Sequence, residues 1–178
     1  MAFDQIRLDR PLSRLELALT VIVISSCAVA LMHRLAYLEA VAEATALNLT
    51  VRNLGTGIRF YVSTRLLQGN HDEIAALAGS NPVGTAIDPP PGYIGALRDV
   101  KPANIQPGQW YFDEDNALLT YHIVNTDYFQ RSGPGPVRVR MKLKLIYDDK
   151  NGNGRFDPEV DAATEISLQI LDPLKWKF

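Results

Sequence analysis

The sequence has few residues of the types that build reactive sites, with one cysteine and three histidines among 178 residues. The single cysteine, Cys27, excludes a disulfide within the chain, so a folded domain must depend on its core, a metal ion or neighbouring subunits. The histidines His33, His71 and His122 are scattered, and no nucleophile–base pair, Cys/His cluster or phosphate-binding glycine loop accompanies them. We therefore predict that the protein is not an enzyme.

An excess of charge of one sign is also lacking. Lysine and arginine together number 18, and aspartate and glutamate together number 20, which gives a formal net charge of −2 at pH 7. This balance offers no global electrostatic attraction for nucleic acid, and we expect no nucleic-acid partner.

Charged side chains are nearly absent from residues 12–34. After Arg14 and a single acid, Glu16, residues 17–32 are uncharged and mostly apolar. A helix needs roughly 17 to 25 such residues to cross a bilayer, and this stretch lacks the polar face that a globular helix presents. We predict a transmembrane helix over 12–34 rather than a buried core helix.

Apolar residues at helical spacing continue beyond this stretch to about Leu67. A cleaved secretory signal would instead be followed by a small-residue cleavage site and a break in the helix. We therefore assign 35–68 to a periplasmic continuation of the helix. Because short basic flanks stay in the cytoplasm, residues 1–11 are a cytoplasmic leader or tail, and the C-terminal domain, 69–178, is periplasmic or extracellular.

Behind the short basic leader, residues 12–17 read LSRLEL, which places a glutamate at the entrance of an apolar helix. This arrangement resembles the N-terminal motif of type IV pilins and type II secretion pseudopilins. The resemblance implies leader cleavage between Pro11 and Leu12, so that Glu16 becomes the fifth mature residue. It also implies an inner-membrane location, with other pilin or pseudopilin subunits and a prepilin peptidase as partners in filament assembly.

Glu16 needs a partner or water, because an acid inside the apolar zone costs a few kcal/mol. In the family, that partner is thought to be the N-terminal amine of a neighbouring subunit, which sets the register of the filament. If the leader is retained, Arg10 or Arg14 of a neighbour can take this place, and a glutamate at headgroup level can instead snorkel to water.

The residues at the expected cleavage point leave a second function open. The family usually has glycine before the cut and phenylalanine after it, whereas this chain has Pro11 and Leu12. A permanently anchored periplasmic binding module that is neither cleaved nor polymerised is therefore the alternative function.

The predicted fold class is α+β, with a long N-terminal helix packed on a small antiparallel β-sheet, as in pilins. Residues 69–178 are predicted to form a loop-rich antiparallel sheet domain. Gly55 and Gly57 mark a kink or a packing site in the long helix. The expected elements after it are a short helix at 71–78, a loop at 80–108, and strands at 110–113, 118–124, 137–145 and 165–171.

The strand at 137–145 has the strictest alternation in the chain, with apolar residues between Arg138, Arg140, Lys142 and Lys144. We interpret its basic side as the solvent face of an edge strand, where such charges prevent pairing with other chains. The alternative is an electropositive stripe for an acidic neighbouring subunit or for DNA.

The clearest local motif lies at 149–161, where oxygen-bearing side chains alternate and a glycine is sixth. The pattern matches the first half of an EF-hand loop, although position twelve is Val160 and no helices bracket it. It predicts a strand–loop–strand calcium site that stiffens the domain, and a metal-free Asn/Gly-rich turn is the alternative. The predicted ligands are the carbonyl of Arg155 and the side chains of Asp149, Asn151, Asn153, Asp157 and Asp161.

Overall fold

A computed structural model describes residues 13–131, 133, 135–157 and 159–178, with His71 described by its backbone alone. The long helix α1 spans Arg14–Leu67, and the short helix α2 spans His71–Leu77. The five strands are β1 (Tyr93–Leu97), β2 (Trp110–Asp113), β3 (Leu118–His122), β4 (Arg138–Asp148) and β5 (Ala162–Ile170). The predicted α+β class is confirmed, and the closer likeness to a pilin fold stays a prediction.

The chain forms two compact units, Met1–Glu39 and Ala40–Phe178. In the first unit, α1 contains the only helical stretch of the described residues that is long and apolar enough to cross a membrane. The predicted helix is therefore present from Arg14 onward. The expected cleavage point at Pro11 and Leu12 lies outside the described residues.

The second unit contains one mixed sheet with the strand order β1-β2-β3-β4-β5. β2 to β5 pair antiparallel, but β1 pairs parallel to β2, with Tyr93 opposite Trp110. The prediction of a purely antiparallel sheet is therefore wrong at β1. This strand lies inside the segment that was predicted to be a loop. It was missed because Pro91 and Gly92 precede its five residues, which include a glycine and show no clear alternation of apolar and polar residues.

β4 lies between β3 and β5, so its interpretation as an edge strand is wrong. Its alternation is nonetheless real, since Val139 and Met141 are fully buried while Lys142 and Lys144 are exposed. The basic side chains therefore follow one face of an inner strand, where they do not protect an edge.

One face of α1 forms the core of the second unit together with the sheet. Its buried residues follow helical spacing and are Ala40, Ala44, Leu47, Leu54, Ile58 and Val62. The four large ones, Leu47, Leu54, Ile58 and Val62, belong to a cluster that includes Phe112 on β2 and Met141 on β4. Burial of each large side chain of this kind contributes about 1.5 to 3 kcal/mol, so this face is what joins the helix to the sheet.

Gly57 is a packing site in this helix. A Cβ atom at this position would lie 2.8 Å from Cγ2 of Ile87, whereas one at Gly55 would meet only the end of the Arg59 side chain at 3.7 Å. The missing side chain of Gly57 thus lets the loop after α2 approach α1 closely. Of the two expectations for these glycines, the packing site is confirmed at Gly57.

Candidate functional site

Glu16 closes a capping box at the start of α1. The Glu16 carboxylate accepts the backbone N–H of Ser13 at 2.7 Å, and the Ser13 hydroxyl accepts the backbone N–H of Glu16 at 3.2 Å. These reciprocal bonds satisfy two backbone donors that the first turn of a helix leaves without partners. The glutamate therefore has a local role in starting the helix, in addition to the assembly role that we predict.

A second glutamate, Glu43, joins α1 to the sheet inside the second unit. Its Oε1 accepts the Tyr121 hydroxyl at 3.0 Å and the N–H of Val124 at 2.7 Å. Its Oε2 accepts the backbone N–H and the side-chain amide of Asn125, both at 2.8 Å. Four donors from the end of β3 thus converge on one half-buried carboxylate, which we call the Glu43 clamp.

The clamp also affects Tyr121. Burial of the phenol, together with the negative charge of Glu43, raises the pKa of Tyr121 above its ordinary value. The hydroxyl therefore remains a hydrogen-bond donor at every physiological pH. The Tyr121 hydroxyl thus keeps the proton that it donates to the Glu43 carboxylate.

The loop at 149–161 connects β4 to β5, as predicted, and Asp149 organises its first half. Asp149 Oδ1 accepts the N–H of Gly152 at 2.7 Å, and its Oδ2 accepts the N–H of Gly154 at 2.8 Å. Gly154 has a φ of 72°, a left-handed conformation that an L side chain rarely adopts. The turn that the motif assigns to this glycine is therefore present.

The two asparagines of the motif form the next turns of the loop. Asn151 Oδ1 accepts the N–H of Asn153 at 3.1 Å, and Asn153 Oδ1 accepts the N–H of Arg155 at 2.7 Å. Both side-chain oxygens thus turn back toward the backbone of the loop. A carbonyl oxygen has two lone pairs, so each can still contribute one to a cation.

Asp161 ties the end of the loop to its beginning. Its Oδ1 accepts the N–H of Lys150 at 3.0 Å, its Oδ2 accepts the N–H of Asp157 at 2.8 Å, and the residue is 7% exposed. The acid at position thirteen thus lies beside Lys150, the residue that follows Asp149 at the start of the loop. Both ends of the loop are therefore joined through this one carboxylate.

The described residues contain no group of three or more histidine, cysteine, aspartate or glutamate side chains that could hold a metal ion. Half of the predicted ligand set falls outside those residue types, since Asn151, Asn153 and the Arg155 carbonyl are amide oxygens. Calcium prefers such oxygen ligands in mixed sets, and calcium binding stays a prediction.

The basic face of β4 contains an ion pair that the sequence pattern did not indicate. Arg140 donates from Nε to Asp172 Oδ2 and from Nη2 to Asp172 Oδ1, both at 2.8 Å, and its backbone N–H adds a third bond at 2.9 Å. The guanidinium holds the pKa of Asp172 below its ordinary value. This bidentate pair fixes the segment after β5 to the middle of the sheet.

No protein-family model, curated protein or solved structure matches this chain significantly.

Sequence reasoning missed the Glu43 clamp and the partner of Arg140, because both join residues that are far apart in sequence. Glu43 and Tyr121 are 78 positions apart. The capping box at Glu16, by contrast, had a readable signal in the spacing Ser13-x-x-Glu16. Two of the predicted calcium ligands are joined directly, since the N–H of Asp157 donates to the Asp161 carboxylate. The same carboxylate accepts the N–H of Lys150, the residue after Asp149.

Proposed function

We propose that this protein is a minor pilin-like or pseudopilin-like structural subunit of a type II secretion or type IV pilus machine. It is anchored once in the inner membrane, with its N-terminus in the cytoplasm and its second unit in the periplasm or outside the cell. It acts by assembly with other subunits of the same kind.

The exposed apolar surface of α1 carries this proposal. Between Leu15 and Met32 the large apolar side chains are exposed, with Leu15 at 81% and Leu31 at 67%. Water disfavours an apolar surface of this size, whereas lipid tails or the helices of other subunits would cover it. A subunit that enters a filament from the membrane needs a helix that suits both surroundings.

Glu16 supports an assembly role because it lies at the start of this apolar stretch and is exposed. Its carboxylate keeps free lone pairs after it accepts the N–H of Ser13, so it can also bind a cation from a neighbouring subunit. The capping box would hold that carboxylate in one position at the helix entrance.

Calcium is the cofactor that we propose for the 149–161 loop. The cation would be held by the side chains of Asp149, Asp157 and Asp161 together with the neighbouring amide oxygens, and it would neutralise acids that otherwise repel one another. Without a full set of carboxylates and without flanking helices, the affinity would suit extracellular calcium, with a Kd of about 0.1 to 1 mM. The metal would stiffen the β4–β5 hairpin in a domain that has no disulfide.

The N-terminal residue and intact mass of the protein test the proposal directly, when it is extracted from membranes of cells with a working prepilin peptidase. We expect a start at Leu12, which makes Glu16 the fifth residue. A start at Met1 would contradict the processed subunit and favour the permanently anchored periplasmic binding module.

A pair of charge-neutralising variants tests assembly separately from cleavage. Glu16→Gln keeps a side-chain carbonyl that can accept the Ser13 N–H but removes the negative charge, so we expect loss of cross-linked multimers in membranes. Glu39→Gln changes another exposed glutamate of the first unit and should leave the multimers unchanged. Equal multimer yields from both variants would contradict a register role for Glu16.

A further inference from the structure

The basic face of β4 opens into a recess with a volume of about 270 Å³. We call it the arginine recess, because its lining includes Arg131, Arg138 and Arg140, with Phe129, Val137 and Asp172. Arg138 and Arg140 are two positions apart on one strand, so their side chains leave the same face of the sheet about 7 Å apart. The third guanidinium comes from the segment before β4.

The charges of the arginine recess do not balance. Asp172 is occupied by the bidentate pair with Arg140. Neither Arg131 nor Arg138 has an ion-pair partner among the residues that the structure describes. The described lining of the recess therefore contains three guanidinium groups and one carboxylate, which leaves a net charge of +2.

A buried histidine, His122, lies beside Arg138, although it does not itself line the recess. It lies opposite Arg138 in the β3–β4 ladder, is 3% exposed, and its Nε2 has no hydrogen-bond partner among the described residues. Buried polar atoms in native proteins nearly always have partners. Burial and the charge of Arg138 both lower the pKa of His122, so this ring is neutral and does not repel a cationic neighbour strongly.

We propose that the arginine recess is a binding site for a small oxyanion, a molecule with carboxylate or phosphate oxygens. Arg138 and Arg131 would bind the anion, and Arg140, held in place by Asp172, would position the edge of the site. Guanidinium groups bind planar carboxylates and phosphates through two parallel hydrogen bonds. The volume suits a molecule of metabolite size and is far too small for a nucleic-acid duplex, and Phe129 and Val137 offer apolar contact to its carbon atoms.

Isothermal titration calorimetry of the full chain in a zwitterionic detergent tests the proposal. Inorganic phosphate and citrate are the two probes, titrated separately at about 0.15 M salt, because diffuse surface attraction is screened at that ionic strength. We expect saturable binding of at least one probe with a Kd below about 1 mM, about 4 kcal/mol or more of binding free energy. The stronger of the two probes identifies the class of oxyanion. If neither probe shows saturable binding up to about 10 mM, ten times the expected upper limit of the Kd, the proposal is overturned.

Matched variants locate the site. Arg138→Gln should weaken binding at least tenfold, whereas Lys142→Gln removes the same charge from the same face of β4, outside the recess, and should leave the Kd unchanged. Arg131→Gln, at an exposed position before β4, should also weaken binding and serves if Arg138→Gln does not fold. Equal effects of the recess variants and Lys142→Gln would mean diffuse surface attraction and would overturn the site.

The ring signals of His122 give a readout that depends on position. Because His122 lies opposite Arg138, its ring nitrogen resonances should shift during the titration with the same Kd. Binding that leaves these resonances unchanged would place the anion elsewhere on the protein and would contradict the proposal.

Discussion

The hydroxyl of Tyr121 on β3 donates a hydrogen bond of 3.0 Å to the carboxylate of Glu43 on α1. The same carboxylate accepts backbone N–H groups of Val124 and Asn125. These two N–H groups lie just after β3 and, within the part of the chain that the structure describes, donate to no backbone carbonyl. The Glu43 clamp therefore provides hydrogen-bond acceptors for the backbone N–H groups that follow β3, and it also fixes the helix against the sheet.

Glu43→Gln should destabilise the second unit by about 1.5 to 3 kcal/mol, because hydrogen bonds to a charged acceptor are lost and an amide N–H₂ meets other donors. Urea unfolding of the full chain in detergent measures this change. Trp110 and Trp176, the only two tryptophans, provide the fluorescence signal and both lie in the second unit.

Glu39→Gln is the matched control for the clamp. This glutamate lies one helical turn earlier on α1 and is exposed. Its substitution should change the free energy of unfolding by less than about 0.5 kcal/mol. A Glu43→Gln variant as stable as the Glu39→Gln variant would show that the clamp does not contribute to stability.

The ion pair between Arg140 and Asp172 predicts a pH dependence. The pKa of Asp172 is lowered in the folded protein by Arg140, so the unfolded chain binds a proton more readily than the folded one. The stabilisation is complete above the unfolded pKa of about 3.9 and is lost as the pH falls through the lower folded value. We expect the stability of the native protein to decrease in this window.

Asp172→Asn removes the titrating group and should remove this part of the pH dependence. Urea unfolding between about pH 2 and pH 7 compares the two proteins, with the native protein more stable at neutral pH and the difference shrinking below about pH 4. Parallel pH profiles would contradict the assigned role of the pair.

Calcium at about 10 mM should stabilise the native protein by about 1.4 to 2.7 kcal/mol, if the Kd is about 0.1 to 1 mM. Asp149→Asn should lose most of this calcium-dependent gain, because it removes a predicted charged ligand but leaves one oxygen for the loop. Glu159→Gln removes the same charge from an exposed position in the same loop and should retain the gain. Thermal unfolding with and without calcium, with magnesium as a comparison, distinguishes the two variants.

The two glycines of α1 should respond differently to alanine. Gly55→Ala should stabilise the protein by about 0.5 to 1 kcal/mol, because alanine is the better helix former and its Cβ meets only a flexible side chain. Gly57→Ala gains the same propensity but forces Ile87 to move, at a cost of about 1 to 3 kcal/mol. Equal changes in the melting temperature of the two variants would contradict close packing at Gly57.

Helical periodicity was enough to predict α1, the end signals at Asn70 and Gly79 predicted the short α2, and strand-like runs separated by turn residues predicted β2 to β5. The alternation from Val137 to Leu145 indicated β4 because a half-buried strand must place every second side chain in the core. The loop at 149–161 was predicted from its Asn/Gly-rich motif, which follows this alternating run. Local hydrogen bonds such as the capping box at Ser13 and Glu16 were also readable.

The remaining features depend on distant partners and have no periodic signal. β1 has five residues, and among the described strands it pairs with β2 alone, so its strand conformation comes from that parallel pairing. The lysines of β4 could not show that it is an inner strand, because a strand with one face in solvent has the same alternating sequence pattern at the edge of a sheet and inside it. Within the described residues, Arg140 has an ion-pair partner and Arg138 does not, because the segment after β5 brings Asp172 beside Arg140.

The strands lie side by side in the order in which they occur in the chain. During synthesis α1 is complete long before β5, yet the core that covers its apolar face includes Ile166 of that last strand. The cover over this face is therefore incomplete until nearly the whole chain has been made. A chain interrupted before β5 would display this face, which gives chaperones and proteases a direct means to recognise an incomplete protein.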